Sequence, residues 1–217
     1  MPTIDLAEGP KTLSLLDVVG QRAEGETRFV RHVALLNEDN KLVEMGGEAS
    51  VIHMGPPLEQ RGKIKVHVAG RVPLTTDEIK IISTWYKKIE DEYKEKGISK
   101  HKQYVIRPPW KDQFDPNRGT RRYRRYSCAG FVLDGHCQVN IELLDIDEDI
   151  LPAIDRQTII SAYPEAERYS GLLSYWGLEG NGPWKVVLAG YVLHALNRPT
   201  DEIRHEPYRA KEGDEQF

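Results

Sequence analysis

The chain has 217 residues, of which 39% are apolar and 29% charged, and a net charge of −4. This length supports a core without covalent or metal staples, and the composition excludes an intrinsically disordered chain. The slight acidity excludes a general polyanion binder and argues against extended nucleic-acid binding. Two cysteines, Cys128 and Cys137, exclude a disulfide scaffold and fit a reducing compartment.

Residues 1–26 read as an irregular N-terminal extension broken by Gly9-Pro10 and Gly25, with residues 13–19 open between a short strand and a helical turn. No basic stretch leads into an apolar run there, so no signal peptide is expected. Residues 29–37 read as a strand and 41–45 as its hairpin partner, followed by strands over 50–54 and 63–72. Thr75-Thr76-Asp77-Glu78 starts a helix to about residue 96, with Ile79, Ile82, Trp85, Ile89 and Tyr93 on one face and Gly97 as its stop. Residues 104–107 are a short strand ended by Pro108-Pro109, and 110–126 a polar loop.

Ser127 opens an apolar helix expected to extend toward residue 144, and two further helices are expected over 151–163 and 184–196, with a Gly- and aromatic-rich linker between them. The most apolar stretch, 186–196, is too short to span a bilayer. The expected organisation is therefore one domain over 27–196 and a charged, frayed tail over 197–217, in a soluble cytoplasmic protein.

Phosphate-loop, G-x-S-x-G and H-E-x-x-H motifs are absent. His136 and Cys137 are adjacent and point apart on a helix, and no second pair has zinc spacing. The residues imply no metal and no cofactor.

Cys128 is the residue with chemical promise. As the neighbour of the N-cap Ser127 it sits in the first helical turn, where free amide N–H groups and the helix dipole favour a thiolate. The upstream Arg118, Arg121, Arg122, Arg124 and Arg125 add positive potential. A nucleophile needs that setting; the competing reading is an inert core thiol. Its general base is best supplied by His32, placed inside a rigid strand. Glu44 follows His32 by twelve residues on the hairpin partner. A three-residue loop over 37–39 would put it directly opposite the imidazole, where it would orient the ring. His53 is the alternative base should the register differ. His67 reads as structural, while His101, His194 and His205 carry no signal. Cys137, nine residues past Cys128, emerges on the opposite helix face and is expected to pack in the core.

The His32-Val33-Ala34-Leu35-Leu36 strand, its polar turn and the Glu44 strand resemble the histidine hairpin of the papain-like NlpC superfamily. Tyr126-Ser127-Cys128-Ala129-Gly130-Phe131-Val132 resembles its nucleophile helix. Because His32 precedes Cys128, the order is similar to the circularly permuted branch that includes the lecithin:retinol acyltransferase-like proteins. The resemblance covers roughly residues 28–140. It departs at the Ala-Gly pair after Cys128 and at the arginine cluster before it.

The resemblance implies an α+β fold, an antiparallel sheet or small barrel packed against the nucleophile helix with extra C-terminal helices. It also implies a cysteine hydrolase or acyltransferase acting on an amide, ester or thioester through an acyl-enzyme. The Cys128 amide would contribute to the oxyanion hole, with Tyr126 as a further candidate. Arg121, Arg122, Arg124 and Arg125 would bind an anionic peptide, amide or acyl substrate. Solvated surface arginines are the plainer reading of that cluster. The other function in view is an inert papain-like binding module. There the arginine loop would recognise an anionic partner and Trp176 and Trp184 would line the partner surface.

Overall fold

Short, mostly apolar strands pair to build one sheet. In chain order, β1 (Ile4–Asp5), β2 (Val18–Arg22), β3 (His32–Leu36), β4 (Leu42–Val43) and β5 (Lys65–Gly70) assemble as β1-β5-β2-β3-β4, with every neighbouring pair antiparallel. The computed structural model describes residues 4–5, 13–22, 25–26, 28–39, 41–45, 65–96, 106, 113–114, 122–123 and 126–217. Strand alternation divides the side chains between the two faces. Val18, Val33, Leu35 and Val43 join the main core, while Val19, Ala34, Leu36 and Leu42 form a smaller cluster with Leu13.

Helix α1 (Thr76–Lys96) begins in a capping box. The Glu78 N–H donates to Thr75 Oγ1 (3.3 Å) and the Thr75 N–H donates to Glu78 Oε2 (2.7 Å). Its buried face presents Ile82, Trp85 and Ile89. A two-stranded ribbon, β6 (Gln113–Phe114) with β7 (Arg122–Tyr123), precedes helix α2 (Cys128–Cys137). Helix α2 packs on β3 and α1, with Trp85 against Phe131 at 4.9 Å.

The C-terminal half comprises β8 (Ala153–Ile154), α3 (Arg156–Ala162), α4 (Glu165–Arg168), α5 (Leu172–Tyr175), β9 (Trp184–Lys185), α6 (Ala189–Leu196) and α7 (Thr200–His205). Helix α6 lies so close to the sheet that a Cβ on Gly20 or Gly70 would stand 2.8 Å from Leu193 or Leu196. The fold is mixed α+β, a small antiparallel sheet with several helices. No helix among the described residues is long and apolar enough to cross a membrane.

Several expectations are corrected. Residues 18–22, assigned to the N-terminal extension, form β2, which lies between β5 and β3 in the sheet. Helix α2 ends at Cys137, well short of residue 144, and Asn140 adopts φ 59° soon after. The expected helix over 151–163 starts only at Arg156, where Asp155 Oδ1 caps the Thr158 N–H at 2.7 Å. The expected helix over 184–196 starts at Ala189, because Trp184–Lys185 pairs with β8. The linker expected between those two helices contains α4 and α5.

The tail is docked. Arg204 Nη2 donates to Glu78 Oε1 (2.7 Å), the Tyr208 N–H donates to the Leu143 carbonyl (3.0 Å), and the Phe217 N–H donates to the Arg28 carbonyl (2.8 Å). Arg204 and the Thr75 amide together hold the Glu78 carboxyl down at about 2. A Cβ on Gly190 would lie 2.6 Å from the Asp214 carbonyl and 2.8 Å from that of Glu215. Gly190→Ala is therefore expected to displace the tail and cost about 1–3 kcal/mol, read as a lowered urea midpoint.

The expected strand over 50–54, His53, His101, the Gly97 stop and the Pro108-Pro109 stop lie outside the described residues, as do Arg118, Arg121, Arg124 and Arg125. Arg122 and Tyr123 contribute backbone to β7, and Ile106 is the described residue of the 104–107 segment.

Candidate active site

Ser127 has extended backbone (φ −84°, ψ 172°), and its Oγ accepts the Gly130 N–H at 3.0 Å. That cap starts α2 at Cys128 and places the thiol in the first turn, at the positive end of a buried helix. Cys128 is 2% exposed. Cys137, half a revolution round the helix, is exposed. The core packing expected for Cys137 is thus corrected: α2 is buried on nearly every side up to His136, and Cys137, its last residue, emerges into solvent at the helix end.

His32 opens β3. Its ring Nε2–H donates to Glu44 Oε2 at 2.6 Å, and the ring is also hydrogen-bonded to Cys128. With Nε2 committed to the carboxylate, Nδ1 is left for the sulfur. Burial opposes charge on the imidazole, yet the Cys128 thiolate and then Glu44 outweigh it and raise His32 to about 10. The attraction is mutual: an imidazolium against the sulfur favours the thiolate.

The hairpin register differs from the direct pairing expected. Leu36 pairs with Leu42 and Leu35 with Val43, so the loop runs over residues 37–41. Continuing that pairing sets Glu44 opposite Ala34 and places His32 diagonally, two residues along on the same side of the pleat. The two-residue shift preserves the face, and a carboxylate of Glu length spans the diagonal. Glu44 is 8% exposed, so its charge is held in a poorly hydrated place by the imidazolium.

Tyr126, the side chain advanced for the oxyanion hole, is fully buried, and its hydroxyl donates to Asp134 Oδ2 at 2.6 Å. That proton is already committed, and the ring packs edge-on against Trp85 and Phe131.

Three residues that the sequence did not single out are tied to the thiol or the imidazole by strand register or by charge. Gln21, on β2, is paired with His32, is 4% exposed and has no hydrogen-bond partner at Nε2 among the described residues. The Arg31 N–H donates to the Gln21 carbonyl (2.9 Å), so Arg31 and His32 together face one β2 residue, a local irregularity of the kind that re-aims side chains. Arg31 Nε is likewise buried without a partner among the described residues. Tyr163, at the end of α3, stacks edge-on against Trp176 at 5.4 Å. Burial and then the nearby Cys128 charge push its phenol up, Glu165 adds to this, and Arg31 opposes it.

A polar Gln at the end of the apolar run Val18-Val19-Gly20 was the one visible signal for Gln21. Tyr163 lies 35 residues past Cys128 and had none.

Two of the other described histidines lie elsewhere. His136 is fully buried on α2, with Nδ1–H donating to the Val132 carbonyl (2.8 Å). His194 Nε2–H donates to the Gln216 carbonyl (2.7 Å). Among the described residues, no three His, Cys, Asp or Glu side chains gather as metal ligands. A thiol at a helix N-terminus, a base in contact with it and a carboxylate behind the base can together perform nucleophilic acyl transfer. No protein-family model, no curated protein and no solved structure matches the chain.

Proposed function

We propose that the protein is a cysteine-dependent hydrolase or acyltransferase built on a circularly permuted papain-like plan, acting on an amide, ester or thioester. The observation that carries this reading is the His32 ring, hydrogen-bonded on one side to Cys128 and on the other to the buried Glu44.

The Cys128 thiolate attacks the substrate carbonyl carbon, the C–S bond forms and the carbonyl π pair moves onto oxygen. When that pair returns, the bond to the leaving group breaks and the leaving group takes the His32 proton. His32, now neutral, removes a proton from water, or from an acceptor in a transferase. The resulting nucleophile attacks the thioester and expels the Cys128 thiolate, leaving His32 protonated as at the start. Glu44 holds the ring orientation and stabilises the imidazolium.

Brief reaction with p-nitrophenyl acetate followed by acid quench and peptide mass analysis tests the reading. An acetyl group on Cys128 and none on Cys137 is expected. An unmodified Cys128 removes the enzyme reading and favours an inert module. Glu44→Gln keeps the shape of the carboxyl and removes its charge. It is expected to slow turnover about 10-fold, to leave Tm nearly unchanged, and to bring the alkaline limb of kcat/KM down from near pH 10, since His32 loses a partner that raises it. A pH profile of that variant superimposable on the wild type would place the orienting group elsewhere.

A further inference from the structure

Acyl transfer at Cys128 needs no arginine, yet the strand irregularity that aims His32 also holds one. We infer that Arg31 determines the specificity of this site, its guanidinium gripping a free carboxylate on the acyl part of the substrate, so that the preferred substrate is an amide, ester or thioester of a dicarboxylic acid. The inference rests on the thiol–imidazole reading above and names a substrate class for it. A carboxylate on the acyl part stays with the sulfur through both half-reactions, so one contact serves both.

Three observations carry it. In a regular strand, consecutive side chains take opposite faces, and Arg31 would point away from His32. The strand is not regular there. The Arg31 N–H donates to the Gln21 carbonyl at 2.9 Å, and Gln21 is also the partner of His32, so two residues of one strand oppose one of the other. Such a bulge re-aims the arginine toward the side that His32 occupies. The charges agree with this placement: the Cys128 thiolate pushes the Tyr163 phenol up and the Arg31 guanidinium opposes it, so both reach the same hydroxyl.

Next, the guanidinium is half-buried and its donors are unmet. The Arg31 side chain is 27% exposed, and its Nε is buried with no hydrogen-bond partner among the described residues. Glu26 Oε2 stands 3.9 Å from Nη2, beyond hydrogen-bond reach. Its Oε1 already accepts the Arg28 N–H (2.7 Å) and the Phe29 N–H (3.3 Å). Arg71 shows what a satisfied arginine does in this fold: its Nε and Nη2 fork onto the two oxygens of Asp17, each at 2.7 Å. Arg31 has the same fork and, among the described residues, no carboxylate seated in it. Gln21 Nε2, on the opposing strand, is a second buried donor without a described partner. Unmet buried donors mark a place where a ligand atom completes the bonding.

Third, the surrounding charge selects a carboxylate over a phosphate. Glu26 lies beside Arg31, and Glu165 and the Cys128 thiolate act on the same phenol that Arg31 does. A phosphate dianion would meet all three negative groups, whereas a carboxylate brings one charge and two coplanar oxygens to one planar fork.

Two esters test this. Mono-p-nitrophenyl adipate and p-nitrophenyl hexanoate share acyl length and leaving group and differ in the terminal carboxylate. With spontaneous hydrolysis subtracted, wild-type kcat/KM is expected to favour the adipate ester by about 10-fold or more, and added salt should erode that preference because the guanidinium is partly exposed. Arg31→Gln is expected to lower the adipate-to-hexanoate ratio about 10–100-fold, the effect of a hydrogen-bonded charge. Arg31→Lys keeps the charge without the fork and should restore part of the ratio. Iodoacetamide alkylation of Cys128, run on the same variants, reports the thiol–imidazole pair by itself.

An unchanged ratio in Arg31→Gln would overturn the assignment. So would a parallel loss with both esters and with iodoacetamide, which would make Arg31 a support for the thiol–imidazole pair. Should Arg31→Gln fail to fold, the wild type decides alone: turnover of the adipate ester no better than that of the hexanoate ester, at low salt, overturns the inference and leaves the enzyme reading standing. If neither ester acylates wild-type Cys128, the enzyme reading fails and this inference falls with it.

Discussion

Cys128→Ala and His32→Ala are each expected to lower ester turnover by a factor on the order of 10³ or more, because one removes the nucleophile and the other its base and acid. The more telling result is how alkylation depends on pH. His32 remains protonated up to about 10 while its ring touches the sulfur. On the proposed reading the resting site is a thiolate–imidazolium pair through neutral pH. Its reaction with iodoacetamide should be nearly flat between about pH 6 and pH 9. In His32→Ala the imidazolium is gone, and the rate should climb close to tenfold per pH unit until it levels near about 8.5, as for an ordinary thiol.

Accessibility alone makes the opposite prediction for the two cysteines. Cys137 is exposed, whereas Cys128 is 2% exposed. Faster labelling of Cys128 at pH 7 therefore measures thiolate character and not reach. Faster labelling of Cys137, with a Cys128 rate that rises with pH in the wild type, would return Cys128 to the core.

Acid should destabilise the protein through a different histidine. His136 is wholly buried, its Nδ1–H is bonded to a helix carbonyl, and Nε2 has no partner among the described residues. Burial lowers it to about 4, with the Val132 carbonyl opposing. The sign follows from where the proton binds. Between the folded value of about 4 and the ordinary 6.5, the unfolded chain takes up a proton that the folded chain refuses. Stability is therefore complete above about pH 6.5 and falls as pH drops toward 4. The whole effect is about 3 kcal/mol, or roughly 6–12 °C in Tm for a chain of this size.

His136→Leu removes the titrating group and the unmet nitrogen together. Urea midpoints of wild type and variant should diverge as pH falls from 7 to 4, the variant losing less. A constant difference across that range would mean that His136 does not titrate on unfolding.

Parts of this molecule were legible because short-range chemistry encodes them. Ser127 caps the amide three residues on, which needs no other part of the chain, and so the helix start and the thiol's place in its first turn follow from Ser127-Cys128-Ala129-Gly130 alone. The Thr75–Glu78 box is local in the same way. The likeness of face between His32 and Glu44 followed from parity within one hairpin. It survived a loop two residues longer than expected, because an even shift leaves the faces unchanged.

The tertiary structure decided the rest, through contacts that sequence neighbours do not specify. β2 owes its place to pairing with β3 and β5, and that pairing alone sets Gln21 beside His32. The 197–217 tail is polar enough to fray, yet Arg204, Tyr208 and Phe217 find partners at Glu78, Leu143 and Arg28, far back in the chain. The exposure of Cys137 and the Tyr126–Asp134 bond have the same origin. Where along α2 solvent is met, and which oxygen receives a phenol's proton, depend on what packs around the helix. Local hydrogen bonds form between groups already held together by the chain, whereas these long-range ones form only when the whole core brings distant segments into register.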